Sequence, residues 1–531
     1  MDILNNFHSK ELVEKVILLT RIEKENQQEA IPGLFEICKT EDPGDQALFM
    51  ADNTLRALLM KNEAQTNKGL LSESGKIRKI CLQVIQRQHY LSAVPALLSL
   101  LSDAALRNEN DIFDILSALS ALKAPESLAI FRKNTRHADP MIAELSIEAL
   151  GNMGDGASTP LLSGIVKASE ASDNLKECDM TTVAAIESLG KIKSPEAIAF
   201  LTSAIHHKNP NTRRVIHEVL VGIGQEAVPE ISSHFDQDDV DNKIMAANIL
   251  GLIGGKKAGD TLISAIDKGA SRHPNILFAI YEALGNIPSM KSIVCLSDGL
   301  KEKDEMILIA VISSIDKRVN PGVIDAIKTH LKAGNDHSKR LIKAIITSKA
   351  LAIFESIHGD ETVGSALIEA ILHSNDTGGR TAFREKLKQM GSERALSDAA
   401  KLSAMAPPPS KRRILAVDDS KAMILFYQST ISEMGHGIET AMNGEEACQR
   451  IEAAGAYDLI ITDMNMPVMN GIELCQKIRS QETTAQLPIL MATTESERSQ
   501  TEKAEKAGVT RFITKPFSAE ALKKSIQEII P

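Results

Sequence analysis

Two hydrophobic rhythms divide the chain. Up to about residue 400, apolar residues recur at helical spacing; beyond residue 412, short apolar runs alternate with helical segments. In the stretch 141–151, Ile142, Leu145 and Ala149 stand at i, i+3 and i+7, and after a Gly-rich turn Leu161, Leu162, Ile165 and Val166 mark a second helix. Each helix carries one apolar stripe, so neither is stable until that stripe meets another.

The end of the first helix returns at Leu119, Leu150, Leu189, Leu220, Leu250, Leu284 and Ile315, in steps of 31, 39, 31, 30, 34 and 31 residues. The polar insert 167–179 accounts for the long step and is expected as a loop. Pro32, Pro95, Pro160 and Pro229 open second helices, where the missing N–H is not needed and φ is already helical. A period near 31 built from two antiparallel helices predicts an all-α solenoid of helix pairs. The helix ends Ala149 to Gly154, Leu250 to Gly254 and Ala283 to Ile287 resemble HEAT-type repeats, over residues 10–390. That likeness implies a fold and no particular chemistry. His206 and His207, with Lys208, Arg213 and Arg214, read either as a ligand patch or, more simply, as a solvated turn between repeats.

After residue 320 the repeats drift, and helices over 338–347, 350–358 and 362–373 are expected as a cap. A polar helix over 381–390 leads to Pro407, Pro408 and Pro409, which hold an extended spacer. The expected division is a HEAT-like α-solenoid over 1–401, a Pro-rich linker over 402–411 and a second domain over 412–531.

In that second domain strands are expected over 414–417, 437–441, 459–463, 489–492 and 511–513, each followed by a helix. Five βα units predict a flavodoxin-like, doubly wound α/β fold with five parallel strands. In the order 2-1-3-4-5, strands one and three are neighbours, so Asp418 and Asp419 converge with Asp463. A divalent cation relieves their repulsion, and Mg2+ suits an all-oxygen site. Thr493 brings a hydroxyl and Lys515 an ammonium to the same rim. That set suits phosphoryl transfer to a carboxylate.

The motifs Val417-Asp418-Asp419-Ser420, Asp463-Met464-Asn465-Met466-Pro467, Leu490-Met491-Ala492-Thr493 and Phe512-Ile513-Thr514-Lys515-Pro516-Phe517 closely resemble CheY-like receiver domains of two-component response regulators. The resemblance implies Asp463 as phosphoacceptor, with Asp418, Asp419, Asp463 and the Asn465 backbone carbonyl around Mg2+. It implies Thr493 and Lys515 as phosphoryl contacts, Phe512 as an aromatic switch, a cis Lys515-Pro516 bond, and Asn465 and Glu495 as the positions that modulate dephosphorylation. Each residue alone has a plainer reading: Asp418 to Ser420 as a helix cap, Thr493 as a strand end, Lys515 as a surface charge and Phe512 as core. Together, in five βα units, they point to one site.

Composition narrows the rest. Aromatics make up 3% of the 531 residues and there is no Trp, so aliphatic side chains must fill the cores. A net charge of -10 without like-charge blocks argues against a phosphate-backbone binder. Six cysteines without metal-ligand spacing suit a reduced, cytoplasmic setting. No signal peptide and no membrane insertion are expected.

The expected function is therefore a cytoplasmic phosphorelay response regulator. A sensor histidine kinase or histidine phosphotransfer protein would phosphorylate Asp463, and the solenoid would bind a protein partner and no nucleic acid. No enzyme activity is expected beyond the receiver's own phosphoryl transfer and autodephosphorylation. Two alternatives stay open: an array acting as an enzyme on a nucleobase or a chromophore, as HEAT-like arrays do in some glycosylases and bilin lyases, and a receiver serving only as a phosphate sink.

Overall fold

The computed structural model describes residues 3–4, 6–40, 46–102, 109–171, 179–268, 273–374, 376–404, 412–454, 456–464, 466, 468–493, 498–515 and 517–531. Contacts divide the chain into two compact units, Met1–Ser172 with Cys178–Phe200, and Asp173–Glu177 with Leu201–Pro531.

The first unit is a run of helix pairs, among them Glu109–Leu122 with Leu128–Asn134 and Pro140–Asn152 with Thr159–Ser169. First helices stack on the first helices of neighbouring pairs, while second helices pack against the first helix of the next pair. Helix Pro140–Asn152 is therefore buried on more than one side. Ile142, Ile147, Ala149 and Leu150 are all buried, Leu145 is only half-buried, and the buried Ser146 hydroxyl donates to the Ile142 carbonyl at 2.7 Å. A single stripe was too narrow an expectation for a helix with several neighbours. The helix Thr159–Ser169 also takes in the start of the insert expected as a loop, and residues 172–178 lie outside the described residues.

The second unit continues with the same pairing, from Pro210–Ile223 with Val228–Ser232 to Pro321–Lys332 behind Glu305–Asp316. Beyond residue 320 the pairs persist, where the drifting sequence suggested a separate cap. Helices Asp336–Thr347, Glu361–His373 and Glu393–Ala404 stack in turn, and Phe354 meets Phe383 edge-on at 5.0 Å in their core. His207 is neither a solvated turn nor an open patch: it is buried, its Nδ1 accepts the Asn209 N–H at 3.1 Å, and its carbonyl accepts from Arg213 at 3.2 Å.

All seven recurring helix-end residues, from Leu119 to Ile315, are at most 3% exposed. A glycine follows four of them, and at three its steric cause is plain. A Cβ on Gly151 would lie 2.5 Å from the Ser188 side chain, one on Gly251 2.7 Å from the Ala283 side chain, and one on Gly285 2.5 Å from the Ser314 side chain. Each glycine thus lets two stacked first helices touch backbone to side chain. The loss of helix propensity there, about 1 kcal/mol per glycine, is offset by closer packing.

The strand-bearing region of the second unit is a five-stranded parallel sheet in the order β2-β1-β3-β4-β5. The strands are β1 (Arg413–Val417), β2 (Gly437–Ala441), β3 (Leu459–Asp463), β4 (Ile489–Thr493) and β5 (Arg511–Thr514). The intervening helices are α1 (Lys421–Glu433), α2 (Gly444–Ala454), α3 (Gly471–Arg479), α4 (Arg498–Lys506) and, after β5, α5 (Ala519–Ile529). Alternate residues of β1 and β3 go to opposite faces. Leu415, Val417 and Ile460 pack under α2 and α3, whereas Ile414, Ala416, Leu459 and Ile461 pack under α1 and α5. Strands buried on both sides explain the continuous apolar runs.

Replacing Gly251 by Val should lower the apparent thermal midpoint of the chain, followed by far-UV circular dichroism, with overpacking worth about 1–3 kcal/mol. A variant as stable as the parent would show that the stacked helices do not need this close approach.

Candidate functional site

Parallel register brings the carboxyl ends of β1 and β3 side by side, with Val417 opposite Thr462. Asp418 and Asp419 follow β1 directly, and Asp463 is the last residue of β3. One carboxylate oxygen from each lies within 4.8 Å of the other two. Asp418 is wholly buried and Asp463 is 8% exposed, while Asp419 reaches solvent.

One cation from the chain enters this cluster. The Lys515 ammonium, just beyond β5, donates to Asp418 Oδ2 at 2.9 Å and to Asp463 Oδ1 at 2.7 Å. Its own backbone N–H donates to the Thr493 carbonyl at 2.7 Å, which ties the lysine to the end of β4. Asp418 Oδ1 accepts the Ser420 N–H at 2.9 Å, and Ser420 in turn caps α1.

The electrostatics follow from this crowding. Burial alone would lower the Lys515 pKa, but the charges of Asp418 and Asp463 hold it well above the usual lysine value. Asp418 is pushed above the carboxylate range, by burial first and also by Asp463, with Lys515 opposing. Asp419 is pushed up as well, by the desolvation that the surrounding protein imposes even on a side chain with open surface, then by Asp418 and Asp463. Three carboxylates against one ammonium leave a site that welcomes a hard cation. The donor set, oxygen only and partly open, fits Mg2+.

The loop that leaves β3 is shaped by two residues that sequence reasoning passed over. A Cβ on Gly471 would stand 2.1 Å from the Asp463 carbonyl oxygen, so only glycine lets α3 start this close to the site. Its N–H donates to the Met464 carbonyl at 2.9 Å. The Asn470-Gly471 pair was the available signal, and Asn470 closes a capping box with Glu473. Val468 has φ of 70°, a left-handed backbone that a β-branched residue adopts only when its surroundings impose it.

Thr493 ends β4 and is 6% exposed, and Phe512 on β5 is half-buried against Met464, Met491 and Ala504. Asn465, Glu495 and Pro516 lie outside the described residues, and with them the expected carbonyl ligand, the two modulating positions and the cis bond.

The array also reaches this site. Asp241, in the first turn of helix Val240–Ile253, feels the charges of Lys515 and Asp463, and Arg213 acts on Asp419. Nearby, α1 packs against helices Glu305–Asp316 and Asp336–Thr347. Lys343 bridges Glu305 to Glu433 at the end of α1, Glu433 also meets Lys523 of α5 at 2.8 Å, and Met306 packs against the core under α1 and α5.

Comparison with known proteins agrees with this geometry. The family model for response regulator receiver domains matches residues 414–527, and that for HEAT repeats matches residues 174–242. The chemotaxis protein CheY1 of Helicobacter pylori is 37% identical over 119 residues, which span 22% of this chain and 96% of that protein. The solved chemotaxis response regulator CheY4 of Vibrio cholerae is 36% identical over 22% of this chain and 98% of that one, with a TM-score of 0.22. The receiver domain of a sensor histidine kinase from Pseudomonas aeruginosa, solved with magnesium in its active-site cleft, is 26% identical over 22% of this chain and 97% of that one, at a TM-score of 0.22. The sheet order, the three converging carboxylates, the two family models and the match to CheY1 lead to one assignment: the chain belongs to the response regulator receiver family, its receiver preceded by a HEAT-like helical array.

Proposed function

We propose that this response regulator is a cytoplasmic phosphorelay protein in which Asp463 accepts a phosphoryl group and the array reads the result. The observation that carries this reading is the Lys515 ammonium shared between Asp418 and Asp463, inside a cluster of three carboxylates. Such a site presents a carboxylate oxygen, a charge to meet the phosphoryl oxygens and a place for a cation, and it needs little else.

The donor is a phosphohistidine of a sensor histidine kinase or of a histidine phosphotransfer protein. In the transfer the N–P bond of the donor breaks and a P–O bond to Asp463 forms. Asp418 and Asp419, with the Asn465 carbonyl, would hold Mg2+, which supplies positive charge opposite the transferred group. Lys515 follows the developing charge on the phosphoryl oxygens, and the Thr493 hydroxyl binds the same group. Phe512 turns into the space that Thr493 leaves. Water later cleaves the P–O bond, so the receiver catalyses only its own loading and unloading.

Output passes to the array, whose stacked helices offer a long surface for a protein partner. The packing of α1 on helices Glu305–Asp316 and Asp336–Thr347 supports a direct route for that coupling. This route uses the first receiver helix.

Acetyl phosphate with Mg2+ should label the wild-type chain, and Asp463→Ala or chelation of Mg2+ should remove the label; incorporation that survives Asp463→Ala would sink the assignment. Beryllofluoride with Mg2+ should change amide hydrogen exchange in helices Glu305–Asp316 and Asp336–Thr347, and unchanged exchange there would disconnect the array from the receiver. Reversing the charge of Lys343 to Glu should raise exchange in those helices even without beryllofluoride, since it replaces an attraction worth on the order of 1 kcal/mol by repulsion from Glu305 and Glu433.

A further inference from the structure

Tyr427 lies in α1 on the side that faces the sheet, and it is the largest wholly buried side chain among the described residues. Its ring stacks on Phe517, with centroids 6.4 Å apart and planes at 29°, two residues beyond Lys515. Its neighbours on that face, Phe426 and Ile431, are apolar. A phenylalanine would fill the same space.

The hydroxyl is what sets Tyr427 apart. It makes no hydrogen bond among the described residues, although it is buried. Asp418, Lys515 and Asp463 all act on it, and its interaction with the Asp418 carboxylate is looser than a formed hydrogen bond. A buried hydroxyl with no partner is costly, and in a core where phenylalanine fits equally well its retention calls for a partner in another state of the site.

That state can be read from the partners of Asp418. With the site as it stands, Oδ1 accepts from the Ser420 N–H and Oδ2 from Lys515, so Asp418 has no need of the tyrosine. Lys515 divides itself between Asp418 and Asp463. A phosphoryl group on Asp463 presents more charge to the ammonium than Asp418 does, and Lys515 turning to it strips Asp418 Oδ2 of its donor. A wholly buried carboxylate cannot replace that donor with water.

We propose that Tyr427 is a positioning residue for the phosphoryl-transfer site, its hydroxyl donating to Asp418 when Lys515 turns to the phosphoryl group on Asp463. Tyr427 then keeps the Asp418 carboxylate aimed at the cation in the loaded state, and it is idle in the unloaded one. The inference rests on Asp463 as phosphoacceptor.

The test compares full-length wild type with Tyr427→Phe, using acetyl phosphate labelling, calorimetric Mg2+ titration without phosphodonor, and thermal unfolding without Mg2+. Tyr427→Phe should label about tenfold more slowly, as the loss of one hydrogen bond to a charged group implies. Its Mg2+ affinity in the unloaded state should stay within about twofold of wild type, and its metal-free thermal midpoint should hold or rise, because a stranded hydroxyl is gone. Tyr427→Leu, which also loses the ring, should lower the midpoint as well. Labelling of Tyr427→Phe at the wild-type rate, or a drop in its metal-free midpoint, overturns the assignment and leaves Asp463 untouched. Wild-type protein that takes no label overturns the phosphoacceptor reading and this inference together.

Discussion

The site turns on one shortage of positive charge. Lys515 is the cation that the chain supplies to a cluster of three carboxylates, and it already serves two of them. Because Asp418 is wholly buried, its charge must be matched within a few ångströms or given up. The strand order makes this crowding unavoidable, since β1 and β3 are hydrogen-bonded neighbours, β3 ending in Asp463 and β1 followed at once by Asp418 and Asp419. A bound cation and a repositioned lysine are different ways of settling the same imbalance, and a phosphoryl group would deepen it. Cation binding and the placement of Lys515 are thus two aspects of one electrostatic problem.

The helical array meets a different constraint. With aromatics at 3% and no Trp, its core is built from leucine, isoleucine, alanine and valine, whose modest volumes require helices to approach closely. Gly151, Gly251 and Gly285 provide that approach at equivalent places in the repeat. The same small residues that looked like a degenerate motif are therefore the contact points that set the spacing between first helices. Serine does similar work from the other side: the Ser188 hydroxyl donates to the Ile147 carbonyl at 3.0 Å and that of Ser314 to the Tyr281 carbonyl at 2.9 Å, so each buried polar group is satisfied within the packed face.

Much of this was legible in the sequence. Period-2 and period-3.6 patterns report burial, and burial is what defines strands and helices here, so the five βα units and the helix pairs could be read directly. Asp463, Asp418, Asp419 and Lys515 were readable as a set because strand ends in a doubly wound sheet have only one place to meet. Three things were not. The persistence of helix pairs after residue 320 was hidden because their apolar positions shift while the stacking continues. The role of Gly471 depends on the return of α3 to Asp463, a contact that spacing along the chain does not encode. Tyr427 reads as one more apolar helix position until its hydroxyl is found buried without a partner, under the charges of Asp418, Asp463 and Lys515.

Asp241 and Arg213 belong to the repeats, yet their charges act among the residues of the carboxylate cluster. The pocket therefore has two authors, one in each part of the chain. A receiver cut free of its repeats keeps all the family residues and loses the charges of Asp241 and Arg213 from its surroundings. Sequence change confined to a repeat can by the same token retune the receiver, and the array is as much a setting for its chemistry as a surface for its output.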